Sequence, residues 1–101
     1  MIEVSVIEII EENIADSNLK VECIAKEIGM SHSVLYKKVL ALTDLTLVEF
    51  IRTIRLKKAS ILLKKSNVSI SHISSDVGFT DPKYFSKCFQ KKFGETPTQY
   101  L

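Results

Sequence analysis

An all-α fold is what this sequence predicts: a helix-turn-helix unit stated twice, with one long helix between the two statements. Three observations carry that expectation. Asn18-Leu19-x-Val21-x-x-Ile24-Ala25-x-x-Ile28-Gly29-Met30-Ser31 returns forty-nine residues later as Asn67-Val68-x-Ile70-x-x-Ile73-Ser74-x-x-Val77-Gly78-Phe79-Thr80. Three glycines and two prolines in 101 residues are too little turn material for a set of hairpins. Hydrophobic residues at 46% and charged residues at 26% are globular proportions, enough for one domain with a modest core.

The first helix is expected over about Val4 to Ala15, with Ile7, Ile10 and Ile14 at helical spacing. Asp16-Ser17-Asn18 ends it and opens the first helix-turn-helix, about residues 18–42. Val21, Ile24, Ala25 and Ile28 make the buried stripe of the next helix, and Gly29 suits the left-handed conformation that ends it. Met30 plugs the inside of the turn, and Ser31 can cap the following helix, about His32 to Ala41. Leu35, Val39 and Leu40 should hold that helix to the core, leaving His32, Ser33, Tyr36 and Lys37 outside.

A linker helix is expected over about 47–65. At roughly 100° per residue, Leu47, Phe50, Ile51, Ile54, Ile61 and Leu62 form its apolar stripe, widened by Val48, Ala59 and Leu63. So broad an apolar surface should touch both halves and act as a packed spacer. The second helix-turn-helix, about 67–93, follows the same plan. Ser74 answers Ala25, Gly78 answers Gly29, and Phe79 plugs the turn. Thr80 is the candidate cap of a helix over about Asp81 to Phe93, with Pro82 in its first turn. Tyr84 or Phe85, with Cys88, Phe89 and Phe93, should anchor it, while Lys83, Ser86 and Lys87 face outward. In an unbroken register Leu35-Tyr36 matches Tyr84-Phe85 and Lys38 matches Lys87. Thr96-Pro97-x-x-Tyr100 closes the chain as a short capped helix, an echo of Thr46-Leu47-x-x-Phe50.

The net charge of +2 hides an asymmetry. Residues 1–30 hold two basic against seven acidic side chains, net −5; residues 31–101 hold twelve against five, net +7. A basic body behind an acidic first helix suits a surface turned toward phosphates. The second helix of a helix-turn-helix can lie in a DNA major groove, so two such units suggest a monomer reading two successive groove faces. No apolar run reaches a membrane-spanning length, and no secretory leader is legible. Cys23 and Cys88 fit free thiols of a cytoplasmic protein, on or beside apolar helix faces. His32 and His72 stand at no metal-ligand spacing, so neither metal nor cofactor is expected. Paired carboxylates, a nucleophile with a base, and a phosphate-cradling glycine loop are all missing from the sequence, which speaks against an enzyme. The competing class is a helical protein-interaction module using the same basic face.

The residues resemble the DNA-binding domain of the AraC/XylS family of bacterial transcription regulators, from about Val4 to Leu101. The most specific stretch is Ile73-x-x-x-Val77-Gly78-Phe79-x-Asp81-x-x-Tyr84-Phe85-x-Lys87-x-Phe89-x-x-x-Phe93-Gly94-x-Thr96-Pro97-x-x-Tyr100, joined by Arg55-x-x-x-Ala59-x-x-Leu62-Leu63. The resemblance implies about seven helices in two homeodomain-like subdomains joined by a rigid linker helix. It also implies base-facing residues at His32, Ser33, Tyr36 and Lys37, then at Pro82, Lys83, Ser86 and Lys87. Double-stranded DNA and RNA polymerase are the implied partners, with a linked sensor or effector domain outside these 101 residues. The acidic first helix and Ile54-Arg55-Leu56-Lys57-Lys58-Ala59 look most like output domains of hybrid two-component regulators. Two departures stand out before the linker helix: Asp44 where a glycine is common and Leu47 where a proline is common, predicting a looser turn. Pro82 offers no side-chain donor or acceptor, so the second helix should read fewer bases than its length offers.

Phosphate contacts are expected from backbone N–H groups at the starts of the reading helices, near Ser31 and Thr80, with Arg52 and Arg55 nearby. Simple N-capping by Ser31 and Thr80 is the plainer role, and both can hold together. Arg55 could instead pair with Asp76 or Glu49, and Tyr36 is divided between core and base contact. Lys37 and Lys87 each stand outward one turn past an apolar anchor.

Overall fold

In this computed structural model the described residues are 2–19, 21–65 and 67–100, with side chains from residue 6 onward. Lys20 in the first repeat and Leu101 at the end of the resemblance lie outside them. Seven helices run in order among the described residues: α1 (Ile2–Glu12), α2 (Val21–Ile28), α3 (His32–Thr43), α4 (Leu47–Lys65), α5 (Ile70–Asp76), α6 (Pro82–Phe93) and α7 (Pro97–Tyr100). They divide into two compact units. One takes α1, α2, α3 and α4 up to Ile54; the other takes residues 14–17 and everything from Arg55 onward.

The first unit packs Val6 and Ile10 of α1, Ile24 and Ala25 of α2, Leu35 and Val39 of α3, and Leu47, Phe50 and Ile51 of α4. The α1 stripe therefore differs from the expected one. The helix stops at Glu12, because the Asn13 side-chain amide donates to the Ile9 carbonyl at 2.8 Å and the chain turns there. Ile14 leaves the α1 face and packs in the second core. Leu40 is also corrected: it is 39% exposed, because Leu35 and Val39 alone face inward.

The second core holds Leu56, Ala59 and Leu63 of α4, Ile73 and Val77, Phe79, and Phe85 and Phe89 of α6. The two ends of α4 bury different faces. Leu47, Phe50 and Ile51 lie along one strip, whereas Leu56, Ala59 and Leu63 lie roughly on the opposite one at about 100° per residue. A single stripe carried through to Ile61 misreads this change; Ile61 is 47% and Val48 58% exposed, and Leu56 is the buried residue.

Backbone hydrogen bonds build the same turn in both units. Gly29 has φ +81°, with Met30 N–H donating to the Ala25 carbonyl at 3.0 Å and Gly29 N–H to Lys26 at 3.2 Å. Gly78 has φ +91°, with Phe79 N–H donating to Ser74 and Gly78 N–H to Ser75, both at 3.0 Å. This paired arrangement is the Schellman ending of a helix. Fifty residues apart, Thr46 and Thr96 begin their helices in matching capping boxes. Thr46 accepts from Glu49 N–H while Glu49 accepts from Thr46 N–H; Thr96 and Gln99 do the same. The predicted looseness before α4 is not found. Asp44 takes the left-handed conformation at φ 60°, as Gly94 does at φ 80°, and both turns close.

Candidate nucleic-acid interface

The start of each outward helix fixes which side chains it presents. Ser31 is the N-cap of α3, its Oγ accepting from Val34 N–H at 3.3 Å. In the second unit the cap falls one residue later than expected. Asp81, not Thr80, precedes α6 and accepts through Oδ1 from Lys83 N–H at 3.0 Å, with Pro82 as the first helical residue. Thr80 is exposed and borders a shallow cleft with Ser17, Ser71 and Pro82. The sequence held the signal for this. Proline favours the first helical position and aspartate the cap before it.

The shift changes the register of the repeat. Up to the turn, equivalent residues lie forty-nine apart: Ile24 and Ile73, Gly29 and Gly78. Beyond it they lie fifty apart: caps Ser31 and Asp81, anchors Leu35 and Phe85, Val39 and Phe89, and left-handed ends Asp44 and Gly94. The second turn is one residue longer. The match of Leu35-Tyr36 with Tyr84-Phe85 is thereby corrected: Leu35 and Phe85 are fully buried, Tyr36 and Tyr84 are 38% and 46% exposed. Lys87 corresponds to Lys37 and not to Lys38.

In the corrected register the outward positions pair as His32 with Pro82, Ser33 with Lys83, Tyr36 with Ser86 and Lys37 with Lys87. All are exposed except Ser86, which is half-buried. Each unit thus sets a capped helix with a small open-side strip, α3 presenting one lysine, Lys37, and α6 two, Lys83 and Lys87. Helix α6 adds Lys91 and Lys92 in its last turn.

The two arginines differ from one another. Arg52 is half-buried on α4. Arg55 turns into the second unit, where its Nη2 donates to the main-chain carbonyl of Asp16 at 2.8 Å. Its Nε is enclosed without a protein acceptor. Burial lowers the guanidinium's proton affinity below the ordinary arginine value, and the Asp16 carboxylate acts in the opposite direction. The guanidinium lies over Gly78, where a Cβ would stand 2.8 Å from its Cζ and would also meet the Ile14 carbonyl. Arg55 is thus a brace of the turn that precedes α6. Asp76, one partner considered for it, faces His72 Nε2 at 3.3 Å. Sequence reasoning missed the Asp16 carbonyl, which carries no side-chain signature. Of the two thiols, Cys23 is exposed, away from the apolar face, and Cys88 is half-buried.

A family model described as Helix-turn-helix domain matches residues 24–101. Histidine kinase P4 of Formosa agariphila is 51% identical over 92 residues, which cover 91% of this chain and 7% of that protein. Regulatory protein SoxS of Salmonella typhimurium is 34% identical over 96 residues, covering 95% of this chain and 89% of that one. The crystal structure of a transcriptional regulator of the AraC-type DNA-binding-domain group from Chromobacterium violaceum superposes with a TM-score of 0.90 at 25% identity, covering 96% and 86% of the two chains. For other curated relatives the chain spans about a third of their length or less.

Proposed function

The chain belongs to the AraC family of helix-turn-helix regulators, and we propose, on that footing, how its sequence-specific binding of DNA is divided between the two units. Helices α3 and α6 each enter a major-groove segment, and the two segments are successive. His32, Ser33, Tyr36 and Lys37 face bases from α3, and Pro82, Lys83, Ser86 and Lys87 face them from α6. The observation that carries this reading is the pairing of Lys37 with Lys87 at equivalent exposed positions of two capped helices. A lysine there reaches guanine O6 and N7 or an adjacent phosphate. Ser31 and Arg52 contribute on the phosphate side; Thr80 adds a hydroxyl beside the start of α6. Arg55 acts there indirectly, through the turn it braces.

The likeness to a histidine kinase 7% covered by this chain supports a linked sensor domain and a two-component setting. RNA polymerase is the further partner we propose, and the bacterial cytoplasm the compartment.

Alanine substitution of each lysine tests the division. Lys37→Ala and Lys87→Ala should each weaken binding to a selected duplex by about 1–3 kcal/mol if the lysine meets a base. If it meets only phosphate, all duplexes should weaken alike and the salt slope should fall by about one. Footprints should show two protected tracts about one helical turn apart, one of them losing protection with each variant. Unchanged affinity of both folded variants would mean that the groove-facing strips are elsewhere.

A further inference from the structure

The outward strip of each reading helix continues one turn beyond the residues assigned to it above. Along α3, Ser33, Tyr36, Lys37 and Leu40 fall at i, i+3, i+4 and i+7, one strip of an α-helix, while Leu35 and Val39 hold the other side in the core. Leu40 is 39% exposed, open to the same degree as Tyr36 one turn before it. Along α6, Lys83, Ser86, Lys87 and the exposed Gln90 repeat the strip, opposite Phe85 and Phe89.

Leu40 and Gln90 occupy the same place in their helices. The Leu40 carbonyl accepts from the left-handed Asp44 at 2.9 Å, and the Gln90 carbonyl accepts from the left-handed Gly94 at 2.8 Å. Their side chains differ in kind: one is branched and apolar, the other an amide with both donor and acceptor. Seven residues of helix rise about 10 Å, roughly three base-pair steps, so a helix lying along a groove carries its last strip residue to a further base.

Resting on the groove-reading assignment of α3 and α6, we propose that Leu40 and Gln90 are further specificity-determining residues. Leu40 packs on the 5-methyl group of a thymine, the apolar feature the major groove offers. Gln90 holds an adenine through its N6 donor and N7 acceptor. The two units therefore end their reading strips with opposite preferences within an A·T pair.

Selection from a random duplex pool by the 101-residue chain supplies the reference site, and the selection is repeated with variants. Leu40→Ala should erase a thymine preference at one position, with about fourfold loss of affinity, the worth of one buried methyl. Replacing that thymine by deoxyuridine should cost the original chain the same factor and cost Leu40→Ala nothing more. Leu40→Gln should turn that position toward adenine, and Gln90→Leu should turn its own position from adenine toward thymine. These polar–apolar exchanges keep the test open should the alanine variant lose helix content by circular dichroism. Variants of Leu40 and Gln90 that leave every positional preference intact, or weaken all duplexes alike, overturn the inference. Lys37→Ala separates the two levels. If it alters selection while the Leu40 and Gln90 variants do not, α3 reads DNA and only this extension fails. If it too changes nothing, the groove-reading assignment fails with it.

Discussion

The two helix-turn-helix units reach the same backbone with different materials. The first is aliphatic, built on Val6, Ile10, Ile24, Leu35 and Val39 with Phe50 as its buried ring, and its Gly29 faces open space. The second is aromatic. Phe79, Phe85, Phe89, Phe93 and Tyr100 form a continuous chain of ring contacts at centroid distances of 4.5–5.8 Å. Its Gly78 is roofed by Arg55 and the Ile14 carbonyl. The second unit also caps α5 with Ser69, whose Oγ accepts from His72 N–H at 3.1 Å. What the units share is main-chain bonding: Schellman turns, side-chain caps and capping boxes. Geometry is therefore set by those fixtures, and the core composition is free to vary around them. The difference lies in how closely each turn is surrounded.

Exchanging the two glycines is the strongest way to break this comparison. Gly29→Ala meets only the left-handed backbone penalty, about 1–2 kcal/mol. Gly78→Ala adds a clash with main chain and with a braced guanidinium, so the loss should exceed about 3 kcal/mol. Urea unfolding of both variants measures the gap, and equal losses would show that the roof over Gly78 yields freely. A smaller effect sharpens the comparison at the helix ends. Asp44 holds φ 60° where Gly94 holds φ 80°, so Asp44→Gly should raise stability by about 0.5–1 kcal/mol, seen as a higher urea midpoint at unchanged slope. A fall in the midpoint would mean the Asp44 side chain contributes more than its backbone costs.

A change of the same small size concerns Ser74, fully buried with its Oγ unpartnered, at the position Ala25 fills in the first unit. Removing that hydroxyl by Ser74→Ala should stabilise the chain by about 0.5–1 kcal/mol. A destabilised variant would point to a hydrogen bond that forms in solution.

Short-range signals made much of this architecture legible. The glycines, Ser31, Pro82 and the Thr46–Glu49 and Thr96–Gln99 pairs act within one turn of helix, and each sits where its spacing implies. Misreadings fell on residues whose fate depends on distant partners. Ile14 and Ile61 have helical spacing, but the chain turns at Asn13 and α4 changes its buried face after Ile54. Thr80 has the right chemistry for a cap, yet the adjacent Asp81-Pro82 is a better helix start, and one choice moves the whole register. Most outward residues of α3 and α6 were readable because Leu35, Val39 and Phe89 fix the opposite side; Leu40, expected in the core, and the choice between Tyr84 and Phe85 were not. Arg55 was not, since its acceptor is a peptide carbonyl that any residue could supply.

Residues 14–17 belong with a unit whose remaining chain begins only at Arg55. Order along the chain and order in space therefore disagree, with consequences for any attempt to dissect the protein. Cutting away the first seventeen residues would deprive the first unit of Val6 and Ile10, as expected, but would also deprive the second of the Ile14 side chain and of the carbonyl that receives Arg55. The second half, though richer in rings, loses contacts of its own core and turn if it is cut at the boundary its repeat suggests. A split that respects the fold would have to carry a four-residue strap from the N-terminal side across to the C-terminal half.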